Sequence, residues 1–203
     1  MTFHPRIDAF ETLPAAPARA ETDEALIARI AAGDKRAMRT LFDRHHLRIY
    51  RFALRLLGER EVAEDVLSEV FLDVWRHAEM FGGRSQASTW LIAIARFKAL
   101  TWLRRRGETP LDEATAAAIP DTSDDPETVM RKKQQSQILR DCLARLSLKH
   151  REIVDLVYYQ EMTIAEVARI VGIPEATVKT RMFHARRQLF DVLAAAGVDR
   201  SPP

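Results

Sequence analysis

Thr163-Ile164-Ala165-Glu166-Val167-Ala168-Arg169-Ile170-Val171-Gly172-Ile173-Pro174 decides the fold of the C-terminal half. Thr163 and Glu166 have the spacing of a capping box, in which a hydroxyl and a carboxylate satisfy the free amides at the start of a helix. That helix turns Ile164, Val167, Ala168 and Val171 inward. Gly172 permits a sharp turn, and Pro174 suits the first turn of a second helix, where its missing amide is not needed. Two short helices joined through a glycine turn make a helix-turn-helix. At 100° per residue the second helix gathers Val178, Met182, Ala185, Leu189 and Val192 within about 80° of arc, and these face the core. The opposite side carries Thr180, Phe183, His184 and Arg187, flanked by Lys179 and Arg186. Phe183 points where an aromatic has no packing role. Beside basic donors and a hydroxyl it suits phosphate contact and reading of base edges in the DNA major groove, a thymine methyl included. The competing reading is an amphipathic surface helix of a bundle.

Working upstream, Ser147 can cap a helix that turns Ile153, Val154, Leu156, Val157 and Tyr158 inward. Before it, Glu108 to Thr128 hold seven acidic residues, no basic ones, and Pro110, Pro120 and Pro126. That composition disfavours helix and core and reads as a flexible acidic linker over 108–128. Residues 1–22, with Pro5, Pro14 and Pro17 and no apolar periodicity, read as a mobile leader, and 195–203 as a tail. Two small helical domains remain, 23–107 and 129–194, in an all-α fold.

In the first domain, a helix from Glu24 to Ala32 ends at Gly33. Asp34 can cap the next helix, which carries Ala37, Leu41, Phe42, His45, Ile49, Phe52, Ala53 and Leu56 inward before Gly58 stops it. A third helix, about 61–79, has rows Val62-Val66-Val70-Val74 and Ala63-Leu67-Phe71-Trp75 on one buried face. Its outer arc holds Glu61, Asp65, Ser68, Glu69, Leu72, Asp73 and Arg76. Leu72 is thus an apolar residue on an acidic face, either a stray surface leucine or a contact. A loop over Phe81–Ala87 comes next, and Ser88 reads as the cap of a fourth helix ending near Arg106. From Arg84 to Arg106 there are six basic residues and no acidic one. This helix also carries Trp90, Phe97 and Trp102 and is apolar nearly all round, which fits either deep burial or aromatics offered to a partner. Aromatics beside arginines suit stacking on unpaired bases with phosphate contact.

The 203-residue chain has 47% apolar and 30% charged residues, so it can bury cores. The single cysteine, Cys142, excludes an intrachain disulfide and a multi-cysteine zinc site, and reads as a small core residue. Neither a signal peptide nor an apolar run near 18 residues is visible, so no membrane insertion and a cytoplasmic location are expected.

Together the two halves resemble the extracytoplasmic-function (ECF) sigma factors of bacterial RNA polymerase. The match is carried by Ala63–Trp75, by Ser88-Thr89-Trp90-Leu91-Ile92-Ala93-Ile94-Ala95-Arg96, by Leu103–Arg106, and by Gly172–Arg181 with Ala185-Arg186. The resemblance implies an alternative sigma factor that binds core polymerase and directs promoter-specific initiation. Asp65, Glu69, Leu72 and Asp73 would dock on the polymerase. Arg84, Ser88, Trp90, Arg96, Phe97, Lys98, Arg104 and Arg105 would meet the single-stranded −10 element. Lys179, Thr180, Arg181, Phe183, His184, Arg186 and Arg187 would meet the −35 duplex. A separate anti-sigma protein is implied as a further partner, with no cofactor, no metal, no catalytic residue and no small-molecule substrate. The chain departs from the family pattern at Phe97, where asparagine is common, at Thr101, where aspartate is, and at His184, where arginine is frequent. Promoter preference at those positions is therefore not carried over.

Two other functions compete. A stand-alone DNA-binding regulator would use the helix-turn-helix but leave the acidic third and basic fourth helices without roles. An enzyme would use His45-His46, His77 or His150, yet no carboxylate or cysteine stands at ligand spacing near them.

Overall fold

A computed structural model describes residues 21–107 and 141–195. Most of the expected leader, the acidic linker and nearly all of the tail lie outside the described residues. Those described are helical, without strands, in the order α1 (Asp23–Ala31), α2 (Lys35–Leu57), α3 (Arg60–His77), a 3₁₀ turn (Ala78–Phe81), α4 (Ala87–Arg106), α5 (Leu148–Val154), a π turn (Asp155–Tyr159), α6 (Ile164–Val171) and α7 (Glu175–Ala195).

The N-terminal bundle is organised on α2, which packs against α1, α3 and α4. Asp34 caps α2 by accepting from the backbone N–H groups of Arg36 and Ala37, and Gly58 closes it in the left-handed conformation, φ 79°. Both ends follow from the sequence. The seam is apolar: Leu41, Ile49, Phe52 and Leu57 of α2 meet Val66, Val70 and Val74 of α3 and Leu91, Ile92 and Ala95 of α4 in one buried cluster. Asp23 ties α1 to α2 through Arg44 at 2.7 Å and His45 at 2.6 Å. Burial works to raise this carboxyl, but the two hydrogen bonds and charges outweigh it and hold it below its ordinary value.

In the C-terminal domain α7 packs against α5 and α6. The capping box forms as expected: the Glu166 backbone N–H donates to the Thr163 hydroxyl and the Thr163 backbone N–H to the Glu166 carboxylate. Gly172, φ 73°, makes the turn, and Val178, Met182 and Ala185 of α7 are buried.

Several expectations are corrected. Phe42 is not in the core; it is 37% exposed, between His46 and Phe71. Tyr158 is 51% exposed rather than inward, because the π turn widens the helix there. Ser88 does not cap α4; the cap position is Gln86, without a side-chain bond, and Ser88 lies inside the first turn. Pro174 stands one residue before α7 and offers its carbonyl to Thr177 and Val178.

The capping box gives a pH test. The Thr163 backbone N–H, then its hydroxyl, hold Glu166 below the usual carboxylate range, against an opposing desolvation. A carboxyl lowered in the folded state stabilises fully above its unfolded pKa, about 4.3, and this is lost as pH falls through the folded value. Glu166→Ala should therefore cost about 1 kcal/mol near neutral pH and less in acid. Urea denaturation of both proteins at two pH values checks this. A difference unchanged in acid would assign the cap to packing rather than charge.

Candidate nucleic-acid interface

The outer face of α7 is built as its angular pattern dictates. Lys179, Thr180, Phe183, His184, Arg186 and Arg187 are exposed, while Arg181 is half-buried. Phe183 is 62% exposed and meets His184 edge-on, ring centroids 5.5 Å apart. The Thr180 hydroxyl donates to the Ala176 carbonyl, which fixes its rotamer. Arg186 donates to the Tyr158 hydroxyl at 2.7 Å and lies over that ring, so it is anchored at the flank. This is a cationic strip with two exposed aromatics, Phe183 and, seven residues on, Phe190, on a helix whose far side is core.

The α4 region divides differently from its sequence pattern. Phe97 is 60% exposed, an aromatic offered to solvent among basic residues. Trp90 instead turns toward Phe81, ring centroids 5.1 Å apart, and packs against the core, as does Trp102. Arg84 and Arg105 are exposed and have no ion-pair partner among the described residues. Arg104 reaches back to the Leu100 carbonyl and the Thr101 hydroxyl. Arg106 pairs with Glu59 and lies over Trp102. Lys98 bridges to α3, 2.8 Å from Asp73 and 3.6 Å from Glu69.

On α3, Asp65, Glu69 and Leu72 are exposed, with Leu72 at 45%. Asp73 is half-buried beneath Lys98. The acidic face and the basic helix are thus joined by one lysine.

A second set of charged residues escaped the sequence reading. Glu152 and Asp155, near the α5–π-turn junction, are 4% and 3% exposed. Glu152 accepts from Arg96 of α4 at 2.6 Å, and Asp155 pairs with Arg55 of α2. Arg48 donates to the side-chain and backbone oxygens of Gln160 at 2.7 and 2.6 Å, and Gln160 in turn donates to Asp155 at 2.8 Å. The Arg55 guanidinium lies 4.2 Å from the Tyr159 ring centre, and burial raises the Tyr159 phenol above its ordinary value. The Thr89 hydroxyl donates to Glu166 at 3.3 Å. The signal was present: Asp155 interrupts the apolar run Ile153–Val157, and a buried charge requires a partner.

The histidines have local roles. His45 pairs with Asp23, while His46 and His77 bond the Phe42 and Asp73 carbonyls, and His150 contacts Gln188. No three His, Cys, Asp or Glu side chains among the described residues are grouped to hold a metal ion, and no described helix is long and apolar enough to cross a membrane.

A helical bundle with an exposed aromatic among cations, followed by a helix-turn-helix, defines a two-part DNA-reading protein. The Sigma-70 region 2 family matches residues 41–109, and the Sigma-70 region 4 family matches residues 136–189. The ECF RNA polymerase sigma factor SigL of Mycobacterium tuberculosis is 34% identical over 172 residues, covering 84% of this chain and 96% of SigL. The chain belongs to the ECF RNA polymerase sigma factor family. Two solved structures share the fold with TM-scores of 0.65. One is CnrH in complex with the cytosolic domain of CnrY, 22% identical, covering 86% of this chain and 99% of that one. The other is the sigma factor RpoE in complex with the anti-sigma factor NepR from Bartonella quintana, 23% identical, covering 80% and 98%.

Proposed function

We propose that this chain brings core RNA polymerase to promoters by a two-point grip: Phe97 and the cations of α4 on the −10 strand, and the outer face of α7 on the −35 duplex. The observation that carries this reading is the outward pair Phe183 and His184 within the cationic strip of α7. Asp65, Glu69 and Leu72 dock on the polymerase, with Asp73 contributing through its edge. Arg84, Phe97, Arg104 and Arg105 are already exposed for the −10 strand, with Ser88 in the first turn. Trp90 acts by bracing the 81–86 loop through Phe81. Residues 23–107 form the polymerase-binding and −10 unit, 129–194 the −35 unit, and 108–128 the link between them.

The chain acts in the cytoplasm, as an initiation factor rather than an enzyme. A separate anti-sigma protein restrains it; the NepR complex of a sigma factor with this fold supports that partnership.

Run-off transcription from a randomised promoter library, with core polymerase, tests the whole reading. Promoter-selective transcripts that require the chain are expected. Duplex binding without any stimulation would instead identify a stand-alone regulator. Lys179→Ala should weaken duplex binding and lower the slope of log affinity against log salt by about one, the loss of one phosphate contact. An unchanged slope would remove Lys179 from the phosphate contacts.

A further inference from the structure

The π turn brings Tyr158 out beside the cationic strip of α7. The turn winds wider than an α-helix, and Tyr158 emerges 51% exposed instead of completing the apolar face of α5. There it meets Arg186. Arg186 follows the buried Met182 by four positions, so at 100° per residue it lies about 40° from the core-facing side of α7. Lys179 stands seven residues before it on the same flank, about 10.5 Å away along the helix axis.

Two contacts join the pair. Arg186 Nε donates to the Tyr158 hydroxyl oxygen at 2.7 Å, and the guanidinium carbon stands 5.6 Å from the ring centre. A guanidinium has five N–H donors, so those on the two Nη atoms stay free once Nε is engaged. They have no acceptor among the described residues, and neither has the Tyr158 O–H. No carboxylate pairs with Arg186 among the described residues either. An unneutralised cation beside a free hydroxyl suits one oxyanion with two acceptor oxygens, which is the chemistry of a phosphodiester.

We propose that Tyr158 is a DNA-binding residue: its hydroxyl and Arg186 form one composite site for a single backbone phosphate of the −35 duplex. The phenol donates its O–H to one non-bridging oxygen, and Arg186 donates from Nη to the other. This site rests on the reading of the outer face of α7 as the −35 surface. The bond from Nε fixes a rotamer-rich side chain before DNA arrives, which removes part of the ordering cost of binding. A phosphate contact sets register and orientation without reading sequence. Tyr158 and Arg186 therefore orient α7 in the groove, and Thr180, Phe183 and His184 are left to read base edges.

Tyr158→Phe in the full chain is the test, because it keeps the ring and removes the hydroxyl. Fluorescence anisotropy reads binding to a −35 duplex recovered from the randomised library and to a scrambled duplex of equal length. Affinity should fall about fivefold, the loss of one hydrogen bond. The factor should be the same on both duplexes, since every sequence presents phosphates. The salt slope should not change, because no charge is removed, whereas Arg186→Ala should lower it by about one. With Arg186 already replaced by alanine, Tyr158→Phe should cost less than about twofold, as expected of two donors that share one phosphate. Undiminished affinity of Tyr158→Phe, or losses that simply multiply in the double variant, overturns the composite site. A loss confined to the selected duplex overturns the phosphate assignment in favour of base reading. If the urea midpoint of Tyr158→Phe falls, duplexes with single neutral methylphosphonates replace it. One such position should weaken the unmodified chain and leave Arg186→Ala unaffected; the lack of any such position overturns the site. Phe183→Ala separates these failures from one of the underlying reading: if it also leaves duplex affinity unchanged, α7 does not face the −35 duplex.

Discussion

Arg151→Ala is expected to destabilise the C-terminal domain by about 3 kcal/mol, the cost of leaving buried polar groups without partners. Arg151 is 7% exposed and lies beneath the segment that ends at Leu146. Its guanidinium donates to three backbone carbonyls: Leu143 at 3.1 Å, Ala144 at 2.7 Å and Leu146 at 3.3 Å. The Leu143 carbonyl also accepts the Leu146 N–H, and the Arg145 carbonyl accepts from Gln188. Ala144 and Leu146 have no other donor among the described residues. One planar fork thus closes the carbonyl end of the turn before α5. Burial lowers the pKa of the guanidinium, yet arginine remains charged at any ordinary pH. Arg151→Lys should recover less than half of the loss, because a compact ammonium cannot address divergent carbonyls as a fork does. Urea denaturation measures both variants. A midpoint unmoved by Arg151→Ala would mean that water replaces the guanidinium without cost. Since α7 packs on α5, −35 duplex binding should fall with the folded fraction.

That arginine also marks where the sequence was hard to read. Periodicity works on the assumption that charges point outward, and it succeeded where they do. The acidic arc of α3, the inward rows of Val62 and Ala63, and the outward placement of Phe183 all come from angle alone. Capping chemistry was legible at Asp34 and at the Thr163–Glu166 pair, whose bonds span no more than three residues, whereas Ser88 falls inside α4 and Ser147 stands before α5 without a side-chain cap bond. The failures have a different origin. Arg151, Glu152 and Asp155 are consecutive or nearly so and all buried; Arg151 is satisfied by backbone carbonyls five to eight residues upstream, while the partners of Glu152 and Asp155 lie in the other domain. Asp155 meets Arg55 across 100 positions, a separation that no local pattern encodes. Tyr158 was misplaced because the π turn adds a residue to one helical turn and rotates the side chains beyond it out of the 100° progression. Phe42 was misplaced because an aromatic can be satisfied by ring contacts at a half-exposed rim, here His46 at 4.9 Å and Phe71 at 4.8 Å. Of the candidate interface, the α7 strip was legible nearly whole. The α4 cations were legible by type only, since which of them are tied down depends on α3 and the other domain.

Leu72→Asp should weaken association with core polymerase about 30-fold, a hot-spot loss of about 2 kcal/mol. Leu72 is 45% exposed on α3, on the same outer arc as Asp65 and Glu69. The bundle does not depend on it, because Val66, Val70, Phe71 and Val74 supply the buried face of α3. An exposed leucine forgoes much of the roughly 1.5–3 kcal/mol that burial of its side chain provides, and a partner surface covering it would recover that. The ring of carboxylates would set orientation and encounter rate, while the leucine carries the affinity. Anisotropy titration of labelled chain with core polymerase reads the effect, and the folding midpoint should shift by no more than about 0.5 kcal/mol. Undiminished affinity would place the polymerase contact elsewhere than on α3. Asp73 is a poorer probe of the same surface. Its carboxylate is 2.8 Å from Lys98, so replacing it releases a cation of α4 as well as removing an acidic contact. A change at Asp73 would therefore mix polymerase docking with −10 binding, whereas Leu72 has no charge partner to release and reports on docking alone.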